Sequence, residues 1–129
     1  MFAFTLYAQE NETKDDSIQA LIQKLASNKK EEVDEAMLSL TTKKESAFPF
    51  LLEGLNNTEK SVRFNCLHLL SQYAPNEVIP TILPKLSQEV EPDVIRKMLS
   101  ILHQFKYKDN DIRQLLEHSD EFVQADAIW

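Results

Sequence analysis

The chain has 129 residues, 43% of them apolar and 27% charged, a composition typical of one soluble globular domain. Its formal net charge of −7 argues against a nucleic-acid-binding protein, because such proteins neutralise phosphates with a basic surface. The single cysteine, Cys66, excludes an internal disulfide and a multi-cysteine zinc site, and the single glycine leaves little material for hairpin turns. The composition therefore predicts an all-α chain.

The first eight residues, MFAFTLYA, are apolar or small and give way abruptly to the polar QENETKDD. The small residue Ala8 suits the cleavage site of a secretory signal peptide. We expect residues 1–16 to be a signal-peptide remnant followed by a disordered acidic lead, and the protein to be exported, for example to a periplasm. The alternative is a cytoplasmic protein whose apolar N-terminus packs on the first helix.

Four valines recur with a period of about thirty residues: Val33, Val62, Val94 and Val123 are 29, 32 and 29 positions apart. A leucine precedes each valine by seven or eight positions, and apolar residues follow at spacings that form one stripe of a helix. The residues four, five and seven positions after each valine are Met37, Leu38 and Leu40; Cys66, Leu67 and Leu69; Met98, Leu99 and Ile101; and Ala127 and Ile128. Each unit is therefore predicted to be two helices joined by a short polar turn, over 17–45, 46–75, 76–108 and an incomplete 109–129.

Polar residues mark the expected starts of the second helices. Asn28, with Glu31 three positions later, matches a capping box, and Thr58 and Asp120 are expected N-caps.

The prolines are expected at helix ends. We expect Pro92, Pro49 and Pro80 in first turns, where no amide hydrogen is needed, Pro75 in the link that closes a unit, and at most a mild bend at Pro84.

The words NNTEKSVRFNCLHLL and EPDVIRKMLSIL resemble HEAT repeats, in particular the short HEAT-like repeats found also in phycobilisome lyase subunits. The resemblance covers residues 17–129, although the Val-Arg pair is intact only at Val62 and Arg63 and the family's Leu-Gly pair is absent. It implies a right-handed α-solenoid, an armadillo-like helical superhelix of about 3.5 repeats, with first helices outside and second helices lining an inner face. Stacking also follows from physics, since a lone helical pair cannot bury its apolar stripe.

The residues that carry enzymatic chemistry are sparse. Cys66 falls in the apolar register, which predicts a buried structural thiol. His68, His103 and His118 belong to different units and form no zinc-binding i, i+4 pair. We therefore predict no enzymatic activity, no cofactor and no metal.

The positions two, six and nine after each valine point away from the apolar stripe and define the predicted inner face. They are Glu35, Ser39 and Thr42; Phe64, His68 and Ser71; Arg96, Ser100 and His103; and Ala125 and Trp129. Aromatic and arginine side chains dominate interface hot spots, so a partner is predicted to contact this face. The predicted partner-binding residues are Phe64, His68, Arg96, Ser100, His103 and Trp129. The alternative is that Phe64 packs on the adjoining repeat and His68 is merely solvated.

Three functions remain open from the sequence. The preferred one is a non-enzymatic interaction or scaffold module that binds a protein partner, as a monomer or part of a longer array, without membrane insertion of the mature domain. The resemblance to lyase-type repeats implies a second, a ligand- or chromophore-handling accessory subunit. A nucleic-acid-binding solenoid is third, although Glu35 opposes Arg96 on the predicted face. The last segment, SDEFVQADAIW, reads as the opening of a second helix, so we also expect a truncated array with a frayed C-terminal helix.

Overall fold

The computed structural model describes residues 17–107, 118 and 120–127. Six helices, and no strand, occur in this part of the chain, which confirms the predicted all-α class. They are α1 (17–24), α2 (Lys30–Gly54), α3 (Lys60–Leu70), α4 (Pro75–Leu86), α5 (Pro92–Gln104) and α6 (Glu121–Asp126). The predictions for residues 1–16, Ile128 and Trp129 lie outside the described residues.

Helix α2 consists of two helical stretches that meet at a bend. Lys44 has φ 29° and ψ −92°, while the residues on both sides are helical. The bend lies next to Glu45, whose carbonyl receives no amide donor from Pro49, and prolines are a common cause of such bends. The Tyr73 hydroxyl donates a hydrogen bond of 2.6 Å to the Lys44 carbonyl, and its ring lies 4.7 Å from that of Phe48. The bend thus stands close to the predicted boundary after residue 45.

The helices that carry the repeated valines pack side by side. Helix α3 contacts α2 and α5, and α5 contacts α3, α4 and α6. Several side-chain bonds join residues one sequence period apart: Tyr73 and Lys44 are 29 positions apart, and Arg96 and Asp126 are 30 apart. We call α2, α3, α5 and α6 the valine row.

Burial follows the predicted register closely. Val62, Val94 and Val123 are buried, and Val33 is half-buried against the same core. The positions four and seven after the valines are also buried in α3 and α5, which confirms the predicted apolar stripe. Cys66 is fully buried, as predicted.

One core prediction is wrong. Leu38 is 68% exposed, whereas its counterparts Leu67 and Leu99 are fully buried. Helices α3 and α5 each have a neighbour of the valine row on both sides, and α2 is the first helix of that row among the described residues. Burial of this position therefore depends on a neighbouring unit and not on the helix itself.

The predicted N-caps are right at one helix and wrong at two. Asp120 accepts from the amides of Phe122 and Val123, as expected. Asn28 and Thr58 are not the caps. Helices α2 and α3 begin one residue later, after Lys29 and Glu59, neither of which makes a side-chain cap bond.

Polar side chains before these two helices bond to the turn instead. The Ser27 hydroxyl accepts from the Lys29 amide at 3.1 Å, and the Asn57 side chain accepts from the Glu59 amide at 2.9 Å. Such turn-forming bonds compete with capping, which moves the helix start by one residue.

The proline predictions also divide. Pro92 opens α5, as expected. Pro75 does not close a unit but opens α4, because its fixed φ suits a first turn. Consequently Pro80 and Pro84 lie inside α4, and Pro49 lies inside α2 beyond the first turn after the bend. Because Pro80 and Pro84 have no amide hydrogen, the carbonyls four residues before them lack their usual helical donors.

A largely buried ion pair joins the first turn of α3 to the turn that precedes α5. Arg63 donates from Nε and Nη2 to the two carboxylate oxygens of Glu89, both at 2.9 Å, and from Nη1 to the carbonyls of Asn57 and Thr58 at 2.9 and 3.1 Å. The two side chains are only 15% and 7% exposed. We call this contact the Arg63–Glu89 junction. It holds α3 to the turn before α5.

Candidate functional site

A groove of about 750 Å³ opens on the face of the valine row formed by α3, α5 and α6. Its walls carry one aromatic ring, two basic and two acidic side chains, and smaller polar groups. The lining residues are Phe64, Asp93, Arg96, Lys97, Ser100, His103, Ala125 and Asp126. We call it the row groove.

The helical register explains why these side chains meet. Because a helix turns about 100° per residue, positions two, six and nine after the valine share one face, and Phe64, Arg96, Ser100 and His103 all hold such positions. Packing α3 and α6 on either side of α5 then brings the faces together. Because the apolar stripe of each helix is buried in the core, the opposite face of the helix carries these side chains into the row groove.

Arg96 is fixed to the wall formed by α6. Its Nε donates to the Asp126 carboxylate at 2.7 Å, and its guanidinium lies 5.0 Å from the centre of the Phe122 ring, a cation–π geometry. The hydrogen bond to Asp126 raises the pKa of Arg96. Both partners remain accessible, since the side chains are 45% and 33% exposed.

His103 bonds to the same part of α6. Its Nε2 lies 2.6 Å from the Asp126 carbonyl oxygen, so that nitrogen carries the hydrogen and donates. This contact ties the end of α5 to the end of α6, which fixes the width of the groove at this position.

Lys97 stands on the other side of the groove, against α3. Its Nζ lies 5.6 Å from the centre of the Phe64 ring and donates to Nδ1 of His68 at 3.0 Å. Burial lowers the pKa of Lys97, and burial followed by the charge of Lys97 lowers the pKa of His68. Because Nδ1 accepts this bond, it carries no proton, and the contact joins a cation to a neutral ring. Phe64 keeps 37% of its surface exposed.

The predicted partner-binding residues are thus placed together in part. Phe64, Arg96, Ser100 and His103 line the row groove, and His68 lies beside it through Lys97. Trp129 lies outside the described residues. The aromatic ring and Arg96 do not touch as a pair: the cation over Phe64 is Lys97, and the ring under Arg96 is Phe122.

Sequence reasoning missed Asp93, Lys97, Asp126 and Phe122. A signal existed for two of them, because the position immediately before the valine lies about 20° around the helix from the sixth position. Asp93 and Phe122 hold that place. Lys97 and Asp126, three positions after their valines, lie farther round and reach the groove because adjoining helices bring them there.

Two candidates for enzymatic chemistry, Cys66 and His118, do not line the row groove. Burial raises the pKa of the Cys66 thiol to about 12, so the thiolate needed for nucleophilic attack is suppressed. His118 lies in the turn before α6, where its Nδ1 accepts from the Asp120 amide at 3.0 Å. Within the described ranges, no group of three histidine, cysteine or acidic side chains is placed to hold a metal ion.

Comparison with protein-family models, with curated proteins and with solved structures finds no match to this chain. None of the helices in the described part of the chain is long and apolar enough to span a membrane. The function is therefore inferred from the geometry of this chain alone.

Proposed function

We propose that the chain is a non-enzymatic protein-interaction or scaffold module, built as a right-handed α-solenoid of HEAT-like helical hairpins that binds a protein partner on its inner face. The alternation of helices supports the repeat, since α1 with the start of α2, the end of α2 with α3, and α4 with α5 each form a helical pair around a short turn. Bonds between residues 29 and 30 positions apart support stacking of successive pairs.

The observation that carries the proposed function is the composition of the row groove. Binding hot spots combine an aromatic ring with arginine, in a recess that excludes water. The row groove offers the half-exposed Phe64 ring on one wall and Arg96, stacked on Phe122, on the other. A groove of about 750 Å³ also has room for several side chains of a partner.

The experiment that tests this function places a photocrosslinking amino acid at Ser100, which is exposed on the floor of the groove between Arg96 and His103. A matched probe stands at Glu77, which is exposed on α4 away from the groove. Cells that express each variant are irradiated, and crosslinked proteins are identified by mass spectrometry.

We expect the Ser100 probe to capture a protein that the Glu77 probe does not, and we expect an added Phe64→Ala substitution to abolish that capture. Phe64 is accessible, so its truncation leaves the core intact. Equal capture from both positions, or capture that survives loss of the ring, contradicts an inner-face partner site. The purified partner is then tested for direct binding by calorimetry.

A further inference from the structure

We propose that the row groove recognises an extended segment of a protein partner in which an acidic residue stands two positions from an apolar one, with the carboxylate on Lys97 and the apolar side chain on Phe64. This inference rests on the proposed function and names the chemistry of the partner. It follows from the charges of the groove and from the geometry of these two side chains.

The basic and acidic groups of the groove are not equally satisfied. Arg96 is paired with Asp126 at 2.7 Å, and Asp93 lies 3.8 Å from Lys60. Lys97 forms no ion pair with any acidic side chain of the described residues, and its bond goes to a neutral imidazole. Lys97 is therefore the charged side chain of the groove lining that has no oppositely charged partner among the described residues.

The position of Lys97 strengthens its preference for an anion. Burial lowers its pKa, which means that the ammonium group has lost part of its hydration. A carboxylate that approaches Nζ replaces the lost water with a charge-assisted hydrogen bond. A neutral ligand group provides less.

Phe64 determines which kind of ligand side chain packs beside the bound carboxylate. Its ring centre lies 5.6 Å from Nζ and more than a third of its surface is open. Successive side chains of an extended chain point to opposite faces, and residues two positions apart share one face about 7 Å from each other, so the side chain two positions from the acidic residue reaches the ring. An aromatic or aliphatic side chain packs there and removes apolar surface from water.

The surrounding carboxylates favour a single negative charge over a phosphate. Asp93 and Asp126 both line the groove, and the chain as a whole carries a formal charge of −7. A phosphate carries up to about two negative charges, and like charges nearby disfavour it. A nucleic-acid backbone is disfavoured more strongly for the same reason.

The test uses the full chain as bait for a display library of randomised nine-residue peptides. Four baits are compared: the wild type, Lys97→Met, Lys24→Met and Ser100→Trp. Lys97→Met removes the charge and keeps an apolar stem, and Lys24→Met removes the same charge from an exposed site on α1. Ser100→Trp fills the groove from an exposed position, and thermal unfolding verifies that each variant is folded.

We expect wild type and Lys24→Met to enrich peptides with Asp or Glu two positions from an aromatic or aliphatic residue. Lys97→Met should lose the acidic preference, and Ser100→Trp should lose the peptides altogether. A synthetic peptide from this set should then bind wild type about fivefold more tightly than its Glu→Gln counterpart, with no such difference on Lys97→Met.

Two outcomes overturn the inference in different ways. Peptides that need an open groove but carry no acidic residue, or that bind Lys97→Met equally well, contradict the acidic partner and leave the proposed groove function standing. Peptides that bind Ser100→Trp as well as wild type do not use the groove, which contradicts both. No enrichment on any bait contradicts the inference, while capture by the Ser100 photocrosslinker tests the proposed function separately.

Discussion

Two arginines on neighbouring helices of the valine row make ion pairs with opposite consequences. Arg63 on α3 and Arg96 on α5 both bond to a carboxylate about one unit further along the chain, 26 and 30 positions away. At the Arg63–Glu89 junction the side chains are 15% and 7% exposed, and in the row groove those of Arg96 and Asp126 are 45% and 33% exposed. The Arg63–Glu89 junction is largely shielded from solvent, whereas the ion pair in the row groove is accessible to solvent.

The two pairs have the same chemistry and differ in their burial. A buried charge that loses its partner is costly, because the low-dielectric interior cannot solvate it. An exposed pair contributes little to stability, since water competes for both groups. The same chemistry therefore holds α3 to the turn before α5 at one site and leaves an accessible charged surface at the other.

The largest expected effect is at the Arg63–Glu89 junction. We expect Arg63→Met to lower the free energy of unfolding by about 3 kcal/mol, because the Glu89 carboxylate, which is only 7% exposed, loses its cation and keeps only backbone amide donors. Arg96→Met is the matched control, and we expect it to cost less than about 1 kcal/mol. Urea denaturation followed by circular dichroism measures both. Equal losses in the two variants contradict the distinction.

A second effect is expected at the close approach of α2 and α3. A methyl group added at Gly54 would place its Cβ atom 2.5 Å from the Cys66 sulfur, and Cys66 is fully buried. We expect Gly54→Ala to lower the free energy of unfolding by about 2 kcal/mol through overpacking, although alanine is usually the better helix former.

The Gly54 prediction has an internal control. Cys66→Ala removes the sulfur that the new methyl group meets, so the double variant should be more stable than the sum of the single effects predicts. Strictly additive losses in urea denaturation show that the two side chains do not meet.

The smallest expected effect is a titration in the groove. Burial and the charge of Lys97 lower the pKa of His68 from 6.5, so the folded chain binds this proton less readily than the unfolded chain. Stability from this group is full above 6.5 and is lost as the pH falls. We expect Lys97→Met to move the pKa of His68 upward in an NMR titration. An unchanged or lower pKa contradicts the contact, and Arg96→Met serves as the control.

The all-α class and the burial of most repeated positions could be predicted because they follow from the helical period of the apolar residues. Val62, Val94 and Cys66 are buried as the register predicts. The prediction for Leu38 was wrong because the fifth position after the valine is buried only where another helix of the valine row covers it. Helix α2 is the first helix of that row among the described residues, so it lacks this cover on one side. The helix starts were wrong by one residue because the side chains of Ser27 and Asn57 bond to the turns.

The site was predicted less completely for a different physical reason. Phe64 and Arg96 were found because they point away from the stripe on their own helices. Lys97 and Asp126 line the groove only because α5 packs between α3 and α6, and a single helix does not reveal which of its edges a neighbour will approach. The sequence alone therefore could not predict which cation lies over which aromatic ring.

The most direct test of whether the row groove is the binding site uses the partner captured by the Ser100 probe. Its dissociation constant is measured for Arg63→Met and Arg96→Met at a temperature where both variants are folded. We expect the dissociation constant of Arg63→Met to lie within about twofold of wild type and that of Arg96→Met to be at least about fivefold higher. Arg96→Met that binds as wild type does, or Arg63→Met that loses binding while folded, contradicts the assignment of binding to the groove.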